Sequence, residues 1–341
     1  MDEDATEVIE KLQQTQQGTM IISLDFELIW GVHDIYGLEK YNEHIIGAHQ
    51  AVEEMLHLFT QYQIHATWGI VGLLYCKDTH DLLENLPAVK PTYEQKQLSA
   101  YHVIEHEINK MHHHKLYFAP LLIDHIQATP NQEIATHTFS HYYTLAEGQT
   151  IEQFSADLDA AIQIAHRKQH PITSIIFPRN QISDTHLKVC SEKGFTTYRG
   201  NELGAIYQMT ANERNNIWKR GLRFMDRYIN LFGHQTYRLP DIKNMGMLNL
   251  RSSRFLHPYT RTFRALEPLR LRRVKQAMTY AAKHGEVFHL WWHPHNFGVH
   301  QQKQVLILTD ILEHFTSLQQ QYGFMSKNMG DVTVELQSVD L

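Results

Sequence analysis

Residues Thr19–Glu27 read TMIISLDFE, an apolar, β-branched run that follows Gly18 and ends in two acids. Such a run, bounded by glycine, predicts a buried strand. Outward from it, strand-like and helix-like segments alternate. Asn42–Tyr62 carries Ile45, Ala48, Val52, Met55, Leu56 and Phe59 at helical spacing. Ile64–Gly72 (IHATWGIVG) reads as a second strand, and Glu133–Thr138 as a third. Thr150–Gln169 repeats the helical spacing behind a capping box formed by Thr150 and Gln153. Ile172–Phe177 is a fourth strand, stopped by Pro178, and Thr196–Tyr198 a fifth. Leu269–Lys283 reads as an amphipathic helix ended by Gly285, Glu286–Trp292 as a strong strand, and Gln304–Tyr322 as the final helix.

Repeated strand–helix units predict a parallel sheet with helices outside, either an open doubly wound sheet or a barrel. Six or more such strands favour the barrel. No fixed-period repeat or low-complexity linker divides the chain. The expectation is therefore an N-terminal extension over 1–18 and a single domain over 19–341. Two stretches without a clear unit rhythm, about 79–124 and 199–268, read as inserts.

The chain has 341 residues, 43% of them hydrophobic and 20% charged, which is ordinary globular composition. Its formal charge of −6 and the lack of any nucleic-acid motif argue against a nucleic-acid partner. Two cysteines, Cys76 and Cys190, make no disulfide framework. The acidic start has no apolar secretory core, and no apolar stretch approaches the ~20 residues of a spanning helix, so a cytoplasmic location is expected. Histidine is abundant, at 25 residues. The mild net charge hides an asymmetry. Arg214–Lys275 holds 15 Lys or Arg against three acids, a surplus of 12, so the remainder carries −18. This segment is read either as solvated surface or as an anion site for the phosphates of an activated or lipid-linked sugar.

In parallel barrels the chemistry sits at the C-terminal strand ends, and four such ends here are reactive. Asp25 and Glu27, two apart on one strand, share a side, where two close acids need a cation or a shared proton. His137 and His141 would lie about 13 Å apart in an extended strand. They can share an ion only if the chain turns after His137. Arg179 follows Pro178 at the fourth strand end and is free to orient a carboxylate. His293-Pro294-His295 ends the run HLWW, with the proline holding His293 extended at the strand tip. Each feature alone also has a bland reading: paired acids on a loop, two unrelated histidines, a surface arginine, or core aromatics with polar ends.

Together the four ends, in this order over Thr19–His295, resemble the polysaccharide deacetylases of carbohydrate esterase family 4, in a subgroup whose first motif is Asp-x-Glu. Thr67–Gly72 resembles that family's second strand. The resemblance implies a distorted (β/α)7 TIM-like barrel and a divalent metal, zinc, held by Glu27, His137 and His141. It implies Asp25 as general base, oriented by Arg179, and His293 as general acid, although the roles of Asp25 and Glu27 are open to exchange. Trp68, Trp292, His295 and Asn180 are expected to line the substrate pocket. The implied activity is hydrolysis of an N-acyl, chiefly N-acetyl, group on a carbohydrate, phosphorylated or nucleotide-linked in view of the basic segment. The alternatives are hydrolysis of another linear or cyclic amide, or a non-catalytic sugar-binding barrel. The sequence leaves the oligomeric state open.

Overall fold

A computed structural model of the chain describes residues 17–34, 38–108, 111, 113–204, 206–207, 217–239, 243–244 and 246–339. Most of the 1–18 extension, His112 and Arg214 lie outside the described residues.

Strand β1 (Thr19–Phe26) forms where its apolar run predicts, with all eight residues buried. It pairs in parallel with β2 (Ala66–Ile70), and β3 (Gln132–Thr136), β4 (Ser174–Ile175) and β5 (Thr197–Tyr198) follow on that side. Beyond β5 comes β7 (Met247–Asn249), with β6 (Lys243–Asn244) antiparallel at the edge. On the other side of β1 lie β9 (Val287–Trp292) and then β8 (Arg254–Phe255). β10 (Met325–Lys327) pairs with the first three residues of β1.

The sheet is parallel apart from β6, and it curls. The segment between β7 and β8 touches both of its flanks: Ser252 N donates to Gly200 O at 2.8 Å and Ser253 N to His289 O at 2.8 Å. The expected barrel-like α/β class is what forms. The stretch 199–268 is not a simple insert, however. It contributes β6, β7 and β8 to the sheet. These three strands, two or three residues each, carry too little periodicity to be seen in sequence.

The helices are α1 (Leu38–Gln61), α2 (Pro120–Ala128), α3 (Ile151–Arg167), α4 (Asp184–Glu192), α5 (Ile217–Asp226), α6 (Glu267–His284), α7 (Gln301–Tyr322) and α8 (Met329–Val339), with shorter turns between them. The capping box at Thr150 and Gln153 starts α3. Gly285, at φ 65°, ends α6 in the left-handed conformation that glycine adopts without steric cost. The 79–124 region forms short helices, and its Tyr93 hydroxyl accepts from Tyr143 N at 2.8 Å, bracing the loop after β3. Cys76 and Cys190 are free and buried. Among the described residues no helix is long and apolar enough to cross a membrane.

The sheet has two faces, set by the alternation of side chains along each strand. Leu24 lies beside Trp68 and Trp292 in register, and this row packs outward against helices. Ser23 lies beside Thr67 and Trp291, and this row faces the concave interior with Asp25. One end of the interior is filled by Ile21, Ile176, Leu250, Val287, Met329 and Val332, so α8 closes it like a stopper. Met329 N donates to Thr67 Oγ1 at 2.8 Å and Gly330 N to Glu133 Oε2 at 2.9 Å. Burial pushes the Glu133 carboxyl up, while Ser174, Thr67 and Gly330 donate to it. The opposite end, where β1, β3, β5 and β9 finish, is open and holds the polar residues.

The same alternation corrects two expectations. Trp68 and Trp292 do not line the pocket. Both are fully buried on the outer face, where Phe59 packs edge-on to each. Trp291, one residue earlier, points into the cavity instead.

Candidate metal centre and its cavity

β1 ends at Phe26, and Glu27 starts a short 3-10 turn over Leu28–Gly31. Its carboxylate bends back over Gly31, where an added Cβ would lie 1.9–2.4 Å from the carboxyl atoms. Only a residue without a side chain leaves that space, so Gly31 belongs to the site although its sequence context gave no sign of it.

β3 ends at Thr136, and the chain then turns. Thr138 and His141 both have positive φ, 64° and 58°. The turn brings the rings of His137 and His141 to 5.0 Å, far closer than an extended strand allows. Both Nε2 atoms face Glu27 Oε2, at 3.3 Å for His137 and 3.1 Å for His141. The three residues are buried, and their ligand atoms all lie within 4.8 Å of one another.

The turn is held from below by Asp157 on α3. Its carboxylate accepts from Phe139 N at 2.7 Å, Ser140 N at 3.1 Å and the Ser140 hydroxyl. Burial pushes Asp157 up to about 6 despite these bonds. Replacing Asp157 with alanine is expected to loosen His141 and weaken metal binding by about 10–100-fold, as for other residues that orient ligands. Competition with a chelator measures this, and unchanged affinity would remove Asp157 from the site.

The donor set suits a divalent metal. His137 Nδ1 donates to Ile176 O at 2.8 Å, which orients the ring so that the buried Nε2 faces Glu27. Burial, the largest influence, pushes His141 down to about 4, against the pull of Glu27. Burial would raise Glu27, but His293, His137 and His141 together hold it well below the carboxylate range. Two imidazoles and a carboxylate could hold a divalent metal ion, and three protein ligands would leave a position for water or substrate.

Asp25 lies beside this triad and is held differently. Arg199, one residue past β5, donates Nη1 to Asp25 Oδ1 at 2.6 Å and Nη2 to Oδ2 at 2.8 Å. Arg199 also donates to Ser23 Oγ at 3.1 Å and Asn180 Oδ1 at 2.8 Å, and lies 4.1 Å over the Trp291 ring. His289 Nε2 lies 2.8 Å from Ser23 Oγ. Burial would raise Asp25, yet Arg199, His137 and His293 outweigh it and the carboxyl is lowered.

The expected pairing of Arg179 with Asp25 is therefore replaced. Arg179 has φ 54° in the turn after Pro178, pairs with Asp34 and lies 4.2 Å over Tyr143. In sequence Thr196–Tyr198 reads as a strand, but Arg199 falls at the start of the 199–268 insert and is given no role. Yet Arg199 follows Thr197-Tyr198 as a polar residue at a strand end, the same signal that marked the other four positions.

His293 is the half-open member of the site, at 23% side-chain exposure, with Nε2 3.7 Å from both Asp25 Oδ2 and Glu27 Oε1. His295 stacks on it at 5.0 Å, buried, with its Nδ1 3.8 Å from Glu27 Oε1. Burial and the neighbouring His293 push His295 down to about 3. Asn180 and His295 line the cavity together with Asp25, Glu27, His141 and His293. The cavity measures about 980 Å³, and its far wall is formed by α5.

No family model matches the sequence, and no curated protein matches it. Solved structures do match in fold. A Mycobacterium smegmatis protein, named for an inferred polysaccharide deacetylase activity, aligns with 96% of this chain and 92% of its own at a TM-score of 0.58 and 12% identity. A Pseudomonas aeruginosa PAO1 protein, likewise named as a polysaccharide deacetylase by inference, aligns with 94% of this chain and 91% of its own, at 0.53 and 11% identity. PuuE allantoinase aligns with 95% of this chain and 92% of its own, also at 0.53 and 11% identity. At these identities the likeness is one of fold.

Proposed function

We propose that the chain is a metal-dependent hydrolase that removes N-acyl groups, chiefly N-acetyl, from carbohydrates, with zinc as the ion. The observation that carries this reading is the buried Glu27–His137–His141 set beside an Asp25 that does not belong to it. One carboxylate is placed to bind an ion while the other is locked by a guanidinium. The fold of the deacetylase structures supports the same reading.

An ion on Glu27, His137 and His141 would supply an acidified water and polarise the acyl oxygen. Asp25 takes the water's proton on Oδ2, the oxygen that faces His293. Arg199 fixes the plane of that carboxylate, so the base needs no reorientation during turnover. His293, across the cavity mouth, protonates the nitrogen that leaves the acyl carbon. Trp291 offers the apolar surface proposed for the acyl methyl.

The test is metal content and acetate release by the purified chain on N-acetylated sugars. Asp25→Asn is expected to keep its metal and lose about 10²–10⁴-fold in turnover, the range for a general base. Loss of metal in Asp25→Asn would make Asp25 a ligand. Wild-type protein without metal would overturn the reading. Release of product from a cyclic amide, with none from any N-acetyl sugar, would move the activity to that substrate class.

A further inference from the structure

Helix α5 presents arginines to the cavity. Arg220 and Arg223 lie three residues apart on it, and Arg227 four further on just past its end, all on one side. The three line the same cavity as Asp25, Glu27 and His293. At about 1.5 Å per helical residue they span roughly 10 Å.

Most of the other arginines around this cavity are matched by acids. Arg199 pairs with Asp25, Arg179 with Asp34 and Arg254 with Asp226. Asp226 lies 3.6 Å from Arg273 as well, so it is already shared. Among the described residues no ion pair involves Arg220, Arg223 or Arg227. Arg223 reaches only the carbonyl of Ile206, at 3.4 Å, and Arg227 lies 5.3 Å from the Phe224 ring. Glu202, the one other acid on the wall, lies within the fields of Arg199 and Arg254. Burial, with Arg227, Arg270 and Arg254, holds His257 on the same wall well below its ordinary value. Among the described residues, the wall facing the metal centre thus carries three arginines without an ion-pair partner.

We propose that Arg220, Arg223 and Arg227 form a subsite for a phosphate or diphosphate ester carried by the carbohydrate, so that the substrate is anchored by its phosphate while its N-acyl group reaches Asp25. This rests on the carbohydrate reading above and narrows its substrate class. A single carboxylate carries one negative charge on two oxygens and is too small to reach three guanidiniums spread over roughly 10 Å. A phosphate or diphosphate offers enough oxygens to engage three spread over roughly 10 Å. The ester has two sources, a soluble sugar phosphate or a lipid-linked one. The other face of α5 bears on this choice, since Leu222 and Met225 are 39% and 48% exposed there, with Ile229 just past the helix at 55%.

Titration calorimetry reads the subsite without turnover. N-acetylglucosamine 1-phosphate is expected to bind about tenfold or more tighter than N-acetylglucosamine, as for charge-assisted hydrogen bonds. Arg220→Glu with Arg223→Glu, and separately Arg223→Ala with Arg227→Ala, are expected to abolish the difference while circular dichroism stays native. Equal binding of both sugars to wild type, or a preference that survives in both variants, would overturn the subsite. An N-acetylated uronic acid bound as tightly as the phosphate would overturn phosphate as the ligand. Glu27→Gln and His141→Ala are expected to keep the preference; its loss in both would place the phosphate on the metal instead. A preference retained without acetate release from any sugar leaves the subsite standing and removes the deacetylase reading. Flotation with phosphatidylcholine vesicles that carry a long-chain polyprenyl phosphate, but not with plain vesicles, assigns the lipid-linked source. Calorimetric preference without flotation assigns the soluble one.

Discussion

His141→Ala is expected to give a folded protein with little bound metal and turnover reduced by about a thousandfold. The reasoning starts from the turn after β3. Asp157 and the positive φ at Thr138 and His141 put both imidazoles on Glu27. Alanine would remove one of the three proposed ligands and leave Glu27 and His137 as a weak pair. Metal ions contribute several kcal/mol of transition-state stabilisation, and ~4 kcal/mol corresponds to about a thousandfold in rate. Elemental analysis and acetate release measure the two losses together. Full metal with full activity would show that His141 is not a ligand. Folding survives in this expectation because the turn is held by Asp157 and by the Thr138 hydroxyl, which accepts from Tyr142 N at 2.7 Å, not by the His141 ring.

The second large effect concerns Arg199. Its side chain is fully buried and answers a buried Asp25, a neighbouring serine and Asn180. Removing one partner of a buried pair costs about 3–5 kcal/mol, because the remaining charge keeps its desolvation penalty. Arg199→Ala is therefore expected to lower unfolding stability by that amount near neutral pH. The pH dependence follows from the direction of the shift. In the wild type Asp25 is held below the ordinary aspartate value, so it adds stability above that value and loses it as pH falls through the folded value. Without Arg199, burial dominates and Asp25 rises. Its contribution then reverses, and stability is lost as pH rises through the carboxylate range. Denaturant unfolding at pH 4 and pH 7 separates the two. A variant as stable as wild type at pH 7 would refute the account. Activity should fall as well, since the proposed base would lose its orientation. Arg199→Lys restores charge but not two-point contact, so it is expected to recover stability better than turnover.

Much of this site was legible because strand ends are punctuated. TMIISLDFE, HTFSH and HLWWHPH each join an apolar run to a cluster of titratable groups, and a parallel barrel gathers such ends at one mouth. Asp25, Glu27, His137, His141 and His293 could therefore be named from local pattern, with the resemblance supplying their roles. Other parts were not legible. Arg179 and Arg199 both stand at strand ends, and local sequence does not say which faces Asp25. A left-handed turn sends Arg179 to Asp34, while register brings Arg199 beside Ser23. Asp157 and Gly31 act through contacts made 17 or 4 residues away, and nothing in their own neighbourhoods marks them.

The tryptophans show the division most plainly. Composition and periodicity determined that strands alternate with helices, that the first strand is buried, and that reactive residues close several of its neighbours. These are local properties, set by side-chain chemistry and by periods of two and 3.6 residues. Which residue of Trp291-Trp292 sees the cavity, which arginine meets Asp25, and which arginines of the basic segment line the cavity were decided by the curl and register of the sheet. A shift of one residue exchanges its faces. In the folded chain Leu24, Trp68 and Trp292 pack outward, Ser23, Asp25 and Trp291 turn inward, and α5 brings its arginines across the opening to meet them.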